Sequence, residues 1–459
     1  MTDFVNTGTV STPTTTTYVV VTPGTLTIAS GGVVSGAVVI GSGSFMVIET
    51  GGVANNTTIV GGTQYNYGTA NGVVISNGGT QHVYGGTASN VTVTAGSYQD
   101  VMNATVTGTT LAGFQQVHVG GVTYATVIVN GGNEFVAAGG TTNGTIVSSG
   151  GLQYVGEDGT ANGTAINNGG YQYVLGTGND TVVFGGGVQE VAGTTNNTTV
   201  NSGGIQHIVL DGTAITTTVL AGGFQQVNSG SVQGSQVSGS LQVLGTGTSN
   251  DTVILAGGNE YIGSGASATG TTVNASGLQY VDAGGSAAST TVNGGFAFVA
   301  GTASGTTVNS GEFDVAGSAS NTHLAGGAEH VYAGGVQNGA DFAGSASTLY
   351  LDDPSGLTGT ISNFEVGDVI DFRSLAVSSY EFDGATLTLI TGNGSLAYQF
   401  AGVEAGTALN VASDGHGGTS VSLSLLSQFS ASLVPDAGEG AITQQGSDPE
   451  GASLVHAQS

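Results

Sequence analysis

The chain has 459 residues, 85 of them Gly, with no Cys and no Trp. One basic residue, Arg373, faces 29 acidic ones for a formal net charge of −28, which excludes polybasic recognition of nucleic acid or of anionic membranes. The absence of Cys excludes a disulfide framework, and a hydrophobic content of 38% without a strict three-residue Gly period excludes collagen and leaves room for a packed core.

The first residues, Met1-Thr2-Asp3-Phe4-Val5-Asn6, carry neither a basic segment nor an apolar one, so no Sec-type signal peptide is expected there. No run of 18 apolar residues occurs, so no transmembrane helix and no membrane insertion are expected either. Residues 1–28 are Thr-rich and punctuated by Pro13 and Pro23, with an apolar strand at Tyr18-Val19-Val20-Val21. They read as an N-terminal cap on the chain beyond residue 28.

From residue 29 to 345 one unit recurs, as in Gly78-Gly79-Thr80-Gln81-His82-Val83-Tyr84-Gly85-Gly86-Thr87-Ala88-Ser89-Asn90-Val91-Thr92-Val93. Anchored on its aliphatic residue it runs Val83, Val101, Val117, Val136, Val155, Val174, Val191, Ile208, Val227, Leu244, Ile262, Val281, Val299, Val315 and Val331, at intervals of 16 to 19 residues. So short a period, with Gly turns between Val/Ile/Thr/Tyr runs, predicts an all-β fold. The architecture expected is a parallel β-helix solenoid of about 16–18 short rungs, on the order of 75 Å long at about 4.8 Å per rung. Only stacking across several rungs can bury an apolar face in such units.

Residues two apart share a strand face. A column of Gln64, Gln81, Gln99, Gln115, Glu134, Gln153, Gln172, Gln189, Gln206, Gln225, Gln242, Glu260 and Gln279, lapsing at Ala297 and Phe313, therefore lies on the Val side. Uniform columns are expected where packing dictates the residue, so Gln and Val are placed inward, with the amides bonding up and down the stack. The variable intervening column is placed outward. In it Phe135, Tyr154 and Tyr173, and again Tyr261, Tyr280 and Phe298, occupy equivalent sites in three successive units. They make two short aromatic ladders, apt for stacking on sugar rings of a cell-surface or extracellular polysaccharide, beside the plainer reading that stacked rings only stabilise neighbouring rungs.

The units Asn196-Asn197-Thr198-Thr199-Val200-Asn201-Ser202-Gly203-Gly204-Ile205-Gln206-His207-Ile208 and Gly85-Gly86-Thr87-Ala88 resemble the strand-loop-strand passenger repeats of AIDA-type autotransporter adhesins. The resemblance implies a β-helix, right-handed, at the cell surface of a Gram-negative bacterium or secreted from it. It also implies Ser/Thr side chains O-glycosylated by a heptosyltransferase. Matching positions are Thr57, Thr58, Thr145, Thr198, Thr199, Thr217, Thr218, Thr271, Thr272, Thr306 and Thr307. Two turns, Gly176-Thr177-Gly178-Asn179-Asp180-Thr181-Val182 and Gly245-Thr246-Gly247-Thr248-Ser249-Asn250-Asp251-Thr252-Val253, break the pattern. The first is similar to an RTX calcium nonapeptide, which makes Asp180 and Asp251 candidate calcium ligands beside the plainer reading of ordinary Asn-Asp turns.

Residues 346–425 leave the repeat and alternate as strands, with Gly392-Asn393-Gly394 joining two of them as a hairpin. With Ser413-Asp414-Gly415-His416-Gly417-Gly418-Thr419 they resemble the C-terminal module of alphaproteobacterial secreted repeat proteins and form an all-β cap. Residues 426–459 are polar and irregular, a disordered tail whose placement resembles a type I exporter's secretion signal.

An enzyme is disfavoured. A lyase acting on acidic sugars needs a basic residue at the uronate, and Arg373 stands alone. No carboxylate pair rises above the acidic background, and His82, His118, His207, His323, His330, His416 and His456 show no metal-ligand spacing. The expectation is a non-enzymatic, adhesin-like or matrix protein without a cofactor. A polysaccharide-active enzyme and a calcium-binding surface-layer protein are the alternatives.

Overall fold

In a computed structural model, residues 2–344, 346–403 and 409–423 are described; residues 426–459 lie outside them. Each repeat makes one coil of three short strands, and equivalent strands of successive coils pair in parallel. One such coil runs Thr141–Asn143, Ile146–Val147 and Leu152–Val155. Three parallel sheets result, named here for a residue that marks each: asparagine, valine and glutamine.

The turns explain the glycine content. Between the asparagine and valine sheets a single residue takes positive φ, supplied in successive coils by Gly144, Gly163, Asp180, Asn197 and Thr216. Between the valine and glutamine sheets the Gly pair divides the work. Gly131 and Gly169 take φ of 82° and 71°, while a Cβ on Gly132 or Gly170 would stand 2.0 or 2.4 Å from a carbonyl of the preceding coil.

The interior combines two aliphatic columns with a column of Gln, a column of hydroxyls such as Thr145, Thr164 and Thr198, and a column of small residues such as Thr142 and Ala161. Val155, Val174 and Val191 on the glutamine sheet, and Val147, Ile166 and Val183 on the valine sheet, are fully buried. Beside them the Gln column forms the expected ladder. Gln172 Nε2 donates to Gln153 Oε1 at 2.7 Å and Gln189 Nε2 to Gln172 Oε1 at 2.8 Å. Inward hydroxyls serve the free lone pairs, as Thr164 does for Gln153 Oε1 at 3.0 Å. Buried amides thus meet the requirement that interior polar groups be bonded.

Glutamates in this column answer the same geometry. Gln153 Nε2 and Thr145 Oγ1 donate to Glu134 Oε2 at 2.7 and 3.1 Å, and burial pushes the Glu134 carboxyl above the usual carboxylate range despite those bonds. Glu260 is buried likewise, accepting from Thr271 and Gln279 at 2.9 Å each, and its carboxyl is raised for the same reason. After Phe313 the column resumes with Glu329, fully buried.

One register differs from the sequence pattern. Gln225 pairs with Leu241, and Val227 with Val243, so Leu241 and Val243 are the inward residues of that coil and Gln242 faces out. Anchoring on Leu244 slips the coil by one residue, which turns every side chain to the other face.

The rod has about 20 coils, more than the 16–18 expected, because both ends stack without the Gly-pair signature. Thr2–Val10 pairs in parallel with Thr17–Ile28, and Thr348–Leu351 and Val369–Phe372 continue the glutamine sheet. The cap then turns antiparallel: Thr419–Leu423 pairs with Val369–Phe372, and Thr386–Thr391 with Gly394–Ala401 through the Gly392–Gly394 hairpin. Among the described residues no helix is long and apolar enough to cross a membrane.

Candidate functional site

The outer face of the glutamine sheet presents two outward residues per strand. The second forms the aromatic ladders: ring centroids lie 5.2 Å apart for Phe135–Tyr154 and 5.3 Å for Tyr154–Tyr173. They lie 5.6 Å apart for Tyr261–Tyr280 and 5.1 Å for Tyr280–Phe298. Spacing is set by the coil repeat, so the rings stack at slightly more than the strand separation. All six are half-buried, and within each ladder successive rings cover one another's faces.

The first outward residue adds to this face. Leu152, Tyr171, Val188, Ile205 and Phe224 succeed one another in register beside the first ladder. Tyr171 donates its hydroxyl proton to Glu190, and burial followed by that carboxylate raises its pKa. Beside the second ladder, Gln242, Asn259, Leu278 and Asp282 line a shallow groove with Tyr261 and Tyr280, and Tyr261 donates to Asp282 Oδ2 at 2.8 Å. A half-buried strip of ring edges flanked by acids and amides can pack against the apolar side of a sugar and meet its hydroxyls by hydrogen bonding.

The eleven threonines expected as sugar acceptors divide by face. Thr58, Thr199, Thr218, Thr272 and Thr307 point outward from the valine sheet and are half-buried, with Thr199 against Thr218 in adjacent coils. Thr57, Thr145, Thr198, Thr217, Thr271 and Thr306 point into the rod at 0–1% exposure. The expectation is corrected for these six. Thr145, Thr198, Thr217 and Thr271 spend their hydroxyl protons on Glu134, Gln189, Gln206 and Glu260, and no transferase can reach a hydroxyl in a closed core.

A longer hydroxyl row is not among the positions that the family resemblance supplies. In the asparagine-sheet strands from residue 141 to 318 one outward register position is held by Thr141, Thr160, Thr177, Thr194, Thr213, Ser231, Thr248, Ser267, Ser286, Thr302 and Ser318, paired coil to coil without interruption. All point outward, half-buried or exposed. Two residues on, Asn143, Asn162, Asn179 and Asn196 join side chain to side chain at 2.8–3.0 Å and hold that face in register. Its signal in the sequence is a recurring Thr-x-Asn triplet.

Asp180 and Asp251 occupy the positive-φ turn after the asparagine sheet, with three coils between them. Asp180 Oδ1 accepts from Asn197 Nδ2 at 3.2 Å. The two carboxylates stand apart, each at its own turn and each in the same position as the Gly or Asn of neighbouring coils. The structure does bring His330 to Glu312 and Asp314, which the absence of metal-ligand spacing among the histidines did not anticipate.

No known family model matches the chain, and no curated protein matches it. Among solved structures, a TibC-catalysed hyper-glycosylated fragment of TibA (residues 55–350) is 30% identical, covering 71% of this chain and 99% of the fragment, with a TM-score of 0.47. A tailspike protein of E. coli bacteriophage HK620 in complex with a hexasaccharide is 11% identical, covering 87% of this chain and 86% of its own, with a TM-score of 0.17, and at that level supports no statement about this one. On 30% identity across almost the whole TibA fragment, the chain belongs to the family of AIDA-type passenger β-helices.

Proposed function

We propose that this chain is a non-enzymatic, adhesin-like β-helical protein of the cell surface or extracellular space. Its outward hydroxyl rows accept O-linked sugar, and its aromatic face meets a polysaccharide. The observation that carries the proposal is the row from Thr141 to Ser318, a continuous line of accessible hydroxyls on a rigid sheet. Enzymes modifying such a line meet the same local geometry at each coil. The family relation supports this reading, because the TibA fragment is hyper-glycosylated by TibC. A glycosyltransferase partner and an exporter are proposed with it.

Protein purified from its native host is expected to exceed the unmodified mass of 44.6 kDa by sugar-sized increments. Peptide mapping should place them on the outward set, such as Thr160, Thr194, Thr218 and Thr272, and leave Thr145, Thr198 and Thr271 bare. An unmodified intact mass would remove the acceptor role, and sugars on the inward set would remove the row as its basis.

A further inference from the structure

The outward column of the glutamine sheet changes character beyond Phe298, where successive coils present Asp314, His330 and Tyr350. Glu312 lies two residues before Asp314 on the same strand, so the two carboxylates share a face. His330 is the register neighbour of Asp314 one coil on. One ligand atom from each of Glu312, Asp314 and His330 falls within 4.8 Å of the others.

Two independent features set this group apart from the acidic background. Asp314 is 3% exposed, its Oδ2 accepts from Tyr332 Oη at 2.8 Å, and its Oδ1 is buried without any hydrogen-bond partner. An unsatisfied buried carboxylate oxygen is costly unless a ligand takes it. The imidazole is also prepared. His330 Nε2 lies 3.0 Å from Asp352 Oδ1, and in the tautomer that donates from Nε2 to this carboxylate Nδ1 carries the lone pair. Carboxylates commonly orient metal-bound histidines in this way.

We propose that Glu312, Asp314 and His330 form a site for a divalent transition-metal ion of the Zn²⁺ class. An imidazole nitrogen with two carboxylates suits Zn²⁺ or its neighbours, whereas Ca²⁺ takes oxygen ligands throughout. Arg373 Nη1 lies 3.4 Å from His330 Nε2, a cation beside that nitrogen which disfavours a metal ion there and leaves Nδ1 as the ligand atom of this proposal. Three protein ligands leave coordination positions open. Those positions adjoin a groove lined by Leu278, Phe296, Tyr350 and Arg373, in line with the second aromatic ladder.

The test uses the full chain, stripped with EDTA and titrated with Zn²⁺ by calorimetry, with Co²⁺ as an optical probe. One equivalent is expected to bind saturably with micromolar affinity or tighter. Glu312→Gln, at an exposed position that leaves the fold undisturbed, and Asp314→Asn should each weaken binding at least about 10-fold. Asp352→Asn should weaken it by about 10–100-fold through the orientation of His330. His118→Gln, at the separate His118–Asp100 contact, should leave binding unchanged. No saturable binding overturns the proposal. So does binding that persists at parent affinity in folded Glu312→Gln, or that is lost in His118→Gln alone.

Discussion

Glu329 sits in the interior amide column between Phe313 and Leu349, where Thr322 Oγ1 donates to one carboxyl oxygen at 3.3 Å and nothing reaches the other. Burial pushes its pKa up to about 8, from an ordinary value of 4.5. The folded state therefore holds a proton that the unfolded chain releases near pH 4.5. Its share of stability is fully present below that pH and is lost as pH rises through about 8, a swing of a few kcal/mol. Glu329→Gln keeps the shape and removes the titration. Thermal melts at pH 4 are expected to match the parent, while the variant melts higher at pH 7 to 8 and shows a shallower pH slope. Parallel slopes in the two proteins would mean that Glu329 is solvated. Residue by residue, much of the interior was legible, because strict alternation puts Gln81 on the face of Val83. The same alternation puts Thr145 on the face of Val147, and the family resemblance obscured it by treating both threonines of each pair alike.

At the scale of an element, the outward column owes its ladders to the coil register. Tyr154 and Tyr173 stack at 5.3 Å because Leu152–Val155 and Tyr171–Val174 pair residue for residue. Stacked rings of this kind contribute about 0.5–1.5 kcal/mol per pair, so a purely structural ladder and a binding ladder both lose a little stability when cut back. Binding separates them. The double variant Tyr154→Ser with Tyr173→Ser is expected to stay folded, with its melting temperature lowered by only a few degrees, and to lose adhesion to polysaccharide- or cell-coated surfaces. Retained adhesion in the folded variant would make the ladder structural and place the contact elsewhere. The ladders were readable from periodicity alone. The cluster of Glu312, Asp314 and His330 was not: the sixteen residues from Asp314 to His330 become a contact only once the coil register is known. The slip at Leu241 has a local cause, since Gln242 and Leu244 imitate the Gln-x-aliphatic spacing of their neighbours while the chain keeps register from the turn at Gly239.

Across the whole molecule, each coil contacts chiefly the coil before and after it, and the columns are nearly uniform along the rod. Stability in such an array is close to a sum of unit and interface terms. A coil can then be taken out if the cut respects the register. Deleting residues 172–188 joins Tyr171 to Gln189, which succeeds Tyr171 as Gln172 did. Gln189 then inherits Gln153 as its ladder partner, and the turns at either side keep their glycines. Deleting residues 172–180 removes about half as much chain yet joins a glutamine-sheet strand to the valine sheet, breaking the amide ladder and sending inward residues out. The full-coil deletion is expected to fold, with a parent-like circular dichroism spectrum, a melting temperature lowered by a few degrees and a rod shorter by about 4.8 Å in solution scattering. The half-coil deletion is expected to melt far lower or to aggregate. Equal damage from both would mean that the coils are not interchangeable units and that features beyond nearest-neighbour stacking, such as the C-terminal cap, hold the rod together against the self-repulsion of its −28 charge.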